Sequence, residues 1–498
     1  MAAGSLQPSP PPRGRFAAVV VAAAAAVACL PGCGSGDAAG TPAVPAAAFD
    51  RAAPNVVVVM TDDQALDTMR AMPKVRRLLG GGGTEFTDAL VSFPLCCPSR
   101  ASFLTGQYAH NHGVLDNGPP KGGIARLDQD GTLPVWLNAA GYRTGFIGKY
   151  LNGYGKNRNG GDRFIPPGWS DWHAATAHGK KSPYDYDLNE NGELVRYGSE
   201  PGDYKTDVMA DKAVEFIGGG SGERPFFLWV ATSAPHTDNA LPASAPRNPL
   251  PAPRHRGRFA DISLPRPASF DERDVADKPR FVRQLPRIGA RRQQEMRRQY
   301  VSELESLLAV DDLIGRVVAE LRRSGELDET LIVFTSDNGY LRGQHRIDSG
   351  KSKLYDESLR VPLFVRGPGF AAGGKVAAPV VNVDLTATIV ALAGLEPSHP
   401  LDGAPLQAAS GPGGERRAVL TEVFERKQDR FQGIRTARYL YARHSDGETE
   451  LYDRRHDPGE LENLAGRPDL RNVRERLAAR LERLADCAGA ECRPAGQR

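Results

Sequence analysis

A thiol and a guanidinium group stand four positions apart in residues 95–100, whose sequence is LCCPSR. Pro98 presets the backbone of a first helical turn, and residues 101–109 are predicted to continue the helix. The thiol of Cys96, at a helix N-terminus beside the fixed cation of Arg100, is expected to ionise readily and to be reactive. The alternative is a buried structural pair of cysteines at a helix cap, and Cys97 is interpreted as packing.

Five short apolar runs are typical of strands that are buried on both faces of a parallel sheet. They cover residues 56–60, 144–148, 226–231, 331–335 and 362–365. Helical patterns separate them, as at residues 206–217 and 291–323. Strands that alternate with helices predict an α/β fold with a mostly parallel sheet.

Polar side chains follow these runs, at the strand ends where open α/β sheets bind ligands. They are Asp62, Asp63, Lys149, His236, Asp337, Asn338 and, after a longer loop, Lys351. Taken singly, an Asp after a strand is commonly a helix N-cap and a Lys is commonly a surface residue. Together, three carboxylates and an amide supply only oxygen ligands, which favours Ca²⁺ or Mg²⁺ over zinc.

The pentad Cys-x-Pro-Ser-Arg that begins at Cys96, with ASFLTG at residues 101–106, closely resembles the sulfatase signature. In that family the first cysteine is oxidised to formylglycine after translation. The resemblance extends from Asn55 to the C-terminus and favours the glycosaminoglycan sulfatases, in particular the N-acetylglucosamine-6-sulfatases. It is carried by residues 55–64, 96–112, 148–152, 335–340 and 351–362. It implies an alkaline-phosphatase-like α/β sandwich with a smaller C-terminal α+β subdomain.

The resemblance also implies roles for the strand-end residues. The residues implied to hold Ca²⁺, with Mg²⁺ as the alternative, are Asp62, Asp63, Asp337, Asn338 and the formylglycine from Cys96. Arg100 and Lys149 would support the formylglycine hydrate, and His236 and Lys351 would contact the sulfate and the leaving oxygen. Many sulfatases carry a His two residues after the strand-end lysine, where this chain has Leu151, and the glucosamine-6-sulfatase branch shares the variant. The candidate substrate contacts are His345, His112 and Asn152.

The chemistry of a sulfate monoester sets the requirements of the site. Its oxygens repel anionic nucleophiles, so the metal, Lys149 and Lys351 must neutralise them. A hydrated aldehyde offers one hydroxyl that attacks sulfur and a second that expels sulfate by re-forming the carbonyl. His236 is predicted to be the general acid. The predicted substrate is the 6-O-sulfate of glucosamine or N-acetylglucosamine in sulfated glycans. The alternatives are a phosphodiesterase or phosphonate monoester hydrolase of the same superfamily, and a catalytically silent glycan-binding lipoprotein.

The chain of 498 residues can bury a sizeable core, and its net charge of +3 gives no indication of a nucleic-acid partner. An arginine-rich stretch at residues 254–298 is interpreted as a solvated loop that leads into a helix; the alternative is a rim that attracts anionic glycans. Cys487 and Cys492 are expected to close a disulfide loop, with zinc as the weaker alternative. Residues 54–410 are predicted to form the catalytic domain and residues 415–498 a subdomain of antiparallel strands and a helix.

The N-terminus is predicted to direct export. An apolar run at residues 16–30 follows Arg13 and Arg15, and its length suits a signal peptide better than a membrane span. The small residues before Cys33 resemble a bacterial lipobox, and residues 34–53 are interpreted as a flexible tether. The mature chain is therefore expected outside the cytoplasm, either secreted or attached to the outer face of the membrane by a lipid on Cys33. A formylglycine-generating enzyme would be its partner during maturation.

Overall fold

The computed structural model describes residues 53–156, 160–179, 182–220, 222–237, 248–411, 417–424 and 430–493. The signal peptide with Cys33, and the tether up to residue 52, lie outside these residues, so both stay predictions. Within the described ranges, no helix has both the length and the hydropathy that crossing a bilayer requires.

The regular elements follow one another in the order that the apolar runs predict. The strands are β1 (Asn55–Thr61), β2 (Thr84–Phe86), β3 (Ala89–Leu90), β4 (Arg143–Gly148), β5 (Asp171–Ala175), β6 (Tyr186–Glu190), β7 (Glu193–Tyr197), β8 (Phe226–Ala231), β9 (Thr330–Ser336), β10 (Leu363–Arg366), β11 (Gly374–Val376), β12 (Val380–Val381), β13 (Ala418–Val423), β14 (Phe431–Thr436), β15 (Tyr439–His444) and β16 (Thr449–Asp453). The helices are α1 (Pro73–Val75), α2 (Cys96–Thr105), α3 (Ala109–His112), α4 (Leu133–Ala139), α5 (Lys205–Gly218), α6 (Arg280–Arg283), α7 (Ala290–Arg323), α8 (Asp356–Leu359), α9 (Val383–Leu392), α10 (Gln407–Ser410) and α11 (Arg471–Ala485).

A mixed sheet of ten strands forms the centre of the fold, in the order β11-β2-β10-β9-β1-β8-β4-β5-β6-β7. Its five middle strands, from β9 to β5, are parallel to one another, as the sequence predicts. Val58 of β1, for example, is in register with Val333 of β9 on one side and Trp229 of β8 on the other. The run at residues 362–365 forms β10, which is antiparallel to β9. The expected α/β fold is confirmed.

Both faces of the middle of this sheet are covered, which explains why strands such as β1, β8 and β9 are continuous apolar runs. Val56 and Val58 of β1 belong to one buried cluster, which includes Phe103 of α2. Val57 belongs to the cluster on the opposite face, which includes Val310 of α7. Because successive side chains of a strand point to opposite faces, a strand covered on both sides has no position for a polar residue. Polar side chains are therefore concentrated at the strand ends.

A smaller sheet of β13 to β16 lies near the C-terminus and is antiparallel throughout. Leu481 of α11 and Ile434 of β14 share a buried cluster with Tyr355, which lies four residues after Lys351. The strands β14 and β15 of this sheet are joined by a tight turn. A disulfide joins Cys487 to Cys492, with 5.1 Å between their Cα atoms, which leaves neither thiol for zinc.

The helix that begins at Cys96 is shorter than the sequence suggests. It ends at Thr105, because Gly106 takes a left-handed conformation with φ of 69° and its N–H bonds back to the Ser102 carbonyl. A new helix, α3, begins at Ala109. The prediction of one helix through residue 109 is therefore wrong, and a glycine after the last turn was the available signal.

His110 of α3 joins the catalytic part of the chain to the C-terminal segment. Its Nδ1 lies 2.9 Å from Glu422 Oε2, and its Nε2 lies 2.9 Å from the Cys487 carbonyl oxygen. Both partners can only accept, so the ring holds two protons and is charged. Burial alone would lower the pKa of His110, but these hydrogen bonds raise it to about 9.

We expect this contact to make stability fall in alkaline solution. The pKa is raised from 6.5 to about 9 on folding, so the stabilisation is complete below about pH 6.5 and is lost as pH rises through about 9. Replacing His110 by Gln should remove a contribution on the order of 3 kcal/mol at about pH 6 and much less at about pH 10. Denaturant unfolding at both pH values measures this, with His456→Gln at an exposed histidine as the control. An unchanged pH dependence in His110→Gln would contradict the assignment.

Candidate active site

The predicted site residues follow four strands that are neighbours in the sheet, in the order β9, β1, β8, β4. The sheet hydrogen bonds continue past the strand ends and fix the first residues of the loops. The N–H of Asp337 donates to the Thr61 carbonyl at 3.0 Å, and the N–H of Lys149 donates to the Ala231 carbonyl at 2.8 Å. Parallel strands end at a common edge, so residues more than 270 positions apart in the chain meet there, as in the 3.2 Å bond from the Asp63 N–H to Asp337 Oδ1.

Helix α2 begins at this edge and contributes Cys96 from its first turn. The Cys96 Sγ lies 3.4 Å from Asp62 Oδ1 and 2.7 Å from Lys351 Nζ. The next residue, Cys97, is fully buried in the hydrophobic core, which agrees with its interpretation as packing. Asn117 Oδ1 accepts a hydrogen bond of 2.9 Å from the Cys97 N–H, which would otherwise be an unpaired amide at the start of the helix.

Three carboxylates and one thiol converge at a point suited to a cation. Asp62, Asp63, Asp337 and Cys96 each offer a ligand atom, and these atoms all lie within 4.8 Å of one another. Asn338 donates from Nδ2 to Asp63 Oδ1 at 2.7 Å, whereas its buried Oδ1 has no hydrogen-bond partner within the described residues. A buried acceptor without a donor, beside three carboxylates, fits a hard cation with oxygen ligands. The donor set is therefore the one that the sequence predicts for Ca²⁺ or Mg²⁺.

Three permanent or near-permanent cations surround the same carboxylates. Arg100 Nε bonds to Asp337 Oδ2 at 2.8 Å, the Lys149 ammonium contacts Asp62, and the Lys351 ammonium contacts Asp63. Burial alone would raise the pKa of Asp62, but Lys149 and the other nearby cations hold it well below its usual value. Three carboxylates against three cations leave these six groups without net charge. A divalent cation would therefore make the site positive, as the binding of an anionic ester requires.

The thiol of Cys96 is not the readily ionised group that its place at a helix N-terminus predicts. Burial raises its pKa, and the Asp62 carboxylate raises it further, although Lys149 and Lys351 act in the opposite direction. The prediction is wrong because desolvation and a close carboxylate outweigh the effect of the helix terminus and the neighbouring cations. The unmodified thiol is thus a weaker nucleophile than a thiolate would be.

The loop between β9 and β10 is held so that Lys351 meets Cys96. The N–H and the Oγ of Ser352 both donate to the Pro94 carbonyl, at 2.9 and 3.2 Å. Ser352 has a φ of 62° and Asp63 has a φ of 63°, left-handed conformations that cost a non-glycine residue about 1 kcal/mol or more. Such conformations persist only where neighbouring contacts enforce them, so the backbone holds these two residues in fixed positions.

His236 lies in the loop after β8, close to Asp63. Its Nε2 is 3.5 Å from Asp63 Oδ2, and its Nδ1 is 2.7 Å from the Thr237 carbonyl oxygen. Since a carbonyl can only accept, Nδ1 carries a proton, and Nε2 is the atom that can take up or release another. The ring is thereby oriented with its exchangeable proton toward the carboxylates.

Two of the candidate substrate contacts have internal partners instead. His345 is fully buried, its Nδ1 lies 2.7 Å from Glu272 Oε2, and its ring stacks on Tyr355 at 4.0 Å. His112 bonds through Nε2 to Ser102 Oγ at 2.9 Å and accepts the Val114 N–H at Nδ1, and burial lowers its pKa to about 3. His112 is therefore not arranged to contact a substrate. His345 stays a candidate, because its buried Nε2 has no hydrogen-bond partner within the described residues.

The third candidate, Asn152, lies in the turn after β4, where its carbonyl accepts the Ile124 N–H at 2.8 Å. Its buried Oδ1 has no hydrogen-bond partner in the part of the chain that the structure describes. It stays a candidate.

A buried ion-pair cluster behind the site was missed by the sequence analysis. Arg342 bonds to Glu303 Oε2 at 2.9 Å and also contacts Asp67. Burial raises the pKa of Glu303 to about 7, although Arg342 opposes this. The three residues come from α7, from the turn after β1 and from the loop that carries Lys351, so no local spacing could have indicated them.

The chain is similar in sequence to proteins of known family. Residues 54–395 match the family model described as sulfatase, and residues 343–486 match that of the N-sulphoglucosamine sulphohydrolase C-terminal region. An arylsulfatase of Volvox carteri is 36% identical, over 90% of this chain and 76% of the relative. The N-acetylglucosamine-6-sulfatase of Homo sapiens is 37% identical over 69% of this chain, which spans only 61% of that relative's length.

Solved structures share the fold. One, described as a complex with its substrate D-glucosamine-2-N,6-O-disulfate, is 26% identical with a TM-score of 0.72, covering 86% of this chain and 97% of its own. The phosphonate monoester hydrolase of Agrobacterium radiobacter has a TM-score of 0.68 at 24% identity, covering 87% and 95% respectively, a likeness of fold alone.

Proposed function

Since this chain belongs to the sulfatase family, we propose that it hydrolyses the 6-O-sulfate of glucosamine or N-acetylglucosamine in sulfated glycans. The observation that carries the proposal is the convergence of three carboxylates and three cations on the Cys96 side chain. Support for the sugar comes from the 6-sulfatase relative and from the structure described with a glucosamine disulfate as its substrate.

The charges of the site suit a sulfate ester. Lys149 is buried and Lys351 is mostly buried, and each ammonium already contacts a carboxylate, so both cations are held in place before an anion enters. A preorganised cation beside a developing charge stabilises a transition state more than a mobile one does. Lys351 Nζ, 2.7 Å from Cys96 Sγ, is close enough to hold a sulfate oxygen while the residue at position 96 reacts.

The residue at position 96 would act as formylglycine. Its aldehyde hydrate supplies a hydroxyl nucleophile and a second hydroxyl that can release sulfate, which a cysteine or serine lacks. A Ca²⁺ or Mg²⁺ ion held by Asp62, Asp63, Asp337 and Asn338 would supply positive charge to the sulfate oxygens. Arg100, fixed to Asp337 at 2.8 Å, orients that carboxylate and keeps it toward the site.

The proposal is tested by measuring sulfate release from a panel of defined compounds. The panel comprises 6-sulfated glucosamine, 6-sulfated N-acetylglucosamine, their 3-sulfated isomers, p-nitrophenyl sulfate, and a phosphate and a phosphonate ester. We expect the highest kcat/KM on a 6-sulfated amino sugar. A preference for the aryl sulfate over every sugar would overturn the proposed substrate, and faster release of phosphate or phosphonate would overturn sulfatase specificity.

His236 is predicted to protonate the departing sugar oxygen. A sugar alkoxide leaves poorly without a proton, whereas a nitrophenolate leaves unaided, so the value of a general acid depends on the leaving group. His236→Ala should lower kcat on the 6-sulfated sugar by about 10²- to 10³-fold and on p-nitrophenyl sulfate by less than about tenfold. His112→Ala, which changes a histidine outside the carboxylate cluster, is the matched control. Equal losses on both esters in His236→Ala would show that the residue only positions sulfate.

A further inference from the structure

The arginine-rich stretch at residues 254–298 consists mostly of loops, with the short helix α6 and the first residues of α7, and its last part lines a cleft. Arg287 and Arg292 line a cleft of about 530 Å³ whose other wall comes from the loop that carries Lys351. That wall adds Arg346 and Lys353. We call this feature the basic cleft. Four cations and one carboxylate, Asp348, line it.

The positive charge of the basic cleft is only partly neutralised. Arg346 bonds from its three guanidinium nitrogens to three backbone carbonyls, those of Glu272, Leu285 and Arg273, so these bonds leave its charge in place. Arg287 is 56% exposed in its ion pair with Asp271 at 2.7 Å. Arg292 is 34% exposed and pairs with two carboxylates, Asp348 at 3.1 Å and Glu295 at 3.3 Å. Exposed pairs of this kind contribute little stability and can exchange partners. The guanidinium groups of Arg287 and Arg292 can therefore donate hydrogen bonds to a sulfate or carboxylate that enters the cleft.

Apolar side chains also line the cleft. They are those of Phe281, Leu285, Pro286 and Ile347, and the Lys353 ammonium lies 5.1 Å from the centre of the Phe281 ring. A sugar ring presents C–H groups on its faces and hydroxyl or sulfate groups at its edge. A cleft lined by both apolar side chains and cations therefore matches an anionic sugar better than it matches an inorganic ion or an apolar ligand.

The cleft adjoins the candidate active site through the same loop. Ser349 and Lys353, which both line it, each lie two residues from Lys351, and two residues span at most about 7 Å. Lys351 in turn lies 2.7 Å from Cys96 Sγ. One wall of the cleft therefore begins within about 7 Å of the backbone of Lys351, whose ammonium contacts the Cys96 side chain.

We propose that the basic cleft binds a second anionic sugar of the same oligosaccharide whose 6-sulfated residue reacts at position 96. The inference rests on the proposed function and deepens it, because it makes a sulfated chain of two or more sugars, rather than a free monosaccharide, the preferred substrate. A second basic cleft of about 820 Å³, lined by Arg77 and Lys375 among others, adjoins other loops and provides a control of the same charge.

The test compares two double variants, each of which removes two positive charges. We expect the wild type to release sulfate from a heparin-derived tetrasaccharide with a kcat/KM about tenfold above that for 6-sulfated glucosamine. The variant Arg287→Gln/Arg292→Gln should lose most of this ratio through KM. The control Arg77→Gln/Lys375→Gln should keep it. Circular dichroism and thermal midpoints of all three proteins establish that each is folded.

A wild-type ratio near one, or an equal loss in both double variants, would overturn the cleft proposal while leaving the 6-sulfatase proposal intact. If neither sugar releases sulfate, the proposed function fails, and binding decides the cleft separately. Calorimetry of the tetrasaccharide on Cys96→Ala protein, with and without the Arg287→Gln/Arg292→Gln changes, should then give about tenfold weaker binding in the combined variant. Equal affinity in the two proteins would overturn the cleft.

Discussion

Replacing Cys96 by alanine is expected to abolish sulfate release, by more than about 10⁴-fold, while the protein stays folded. In the proposed mechanism position 96 supplies the nucleophile, and no other side chain can substitute for it. The loss of one buried Sγ should cost about 1 kcal/mol of stability, because the helix that begins there is held by its own contacts. Activity on p-nitrophenyl sulfate and the thermal midpoint measure the two effects. Cys97→Ala, which changes a core cysteine one residue away, should keep most of the activity.

The role of position 96 can also be tested by identifying the chemical state of the residue. In the proposed mechanism the active enzyme carries an aldehyde at position 96, so the peptide that contains this residue should have a lower mass than the unmodified sequence. Tandem mass spectrometry of the active protein should locate the change at Cys96 and leave Cys97 intact. An unmodified Cys96 in fully active enzyme, or an aldehyde at Cys97, would contradict the central assignment.

How far the sequence predicts the site depends on whether the determinant is local. Asp62 and Asp337 could be placed together because parallel strands end at one edge, and the apolar runs located those ends. His345 and His112 could not be judged in this way, since their partners Glu272 and Ser102 are set by packing and by helix geometry that a motif does not encode. A histidine in a motif looks the same in sequence whether it is solvated or buried.

The pKa of Cys96 likewise depends on both local sequence and contacts that only the fold creates. Sequence places the thiol at a helix N-terminus and near a cation, both of which lower a thiol pKa. Only the folded structure supplies the degree of burial and the 3.4 Å approach of Asp62 Oδ1, which together outweigh them. The buried pair of Arg342 and Glu303 was missed for a related reason, because its members are 39 residues apart and belong to different elements.

Removal of the divalent cation is expected to have the second largest effect. Dialysis against a chelator should lower kcat by about 10³-fold or more, because Asp62, Asp63 and Asp337 would then leave no excess positive charge for a sulfate. Ca²⁺ should restore activity, with Mg²⁺ the next most effective ion, since the ligands are oxygen atoms and the Asn338 Oδ1 is a buried acceptor that needs a partner. Restoration by Zn²⁺ alone would contradict this assignment.

Stability provides an independent measure of the same site. Each carboxylate already contacts Arg100, Lys149 or Lys351, so the protein without metal should stay folded, and added Ca²⁺ should raise its thermal midpoint in a concentration-dependent way. Asn338→Leu removes the unpartnered acceptor and should shift that dependence to higher Ca²⁺ concentration, by about tenfold for the loss of one ligand. Asn117→Leu is the matched control, because it removes the side-chain amide that accepts the Cys97 N–H at the start of α2 and leaves the carboxylate cluster unchanged. This variant should show the same Ca²⁺ dependence of the midpoint as the wild type. A midpoint that does not respond to Ca²⁺ in the wild-type protein would mean that the three carboxylates serve only to pair the three cations, and the metal would then have no place in the mechanism.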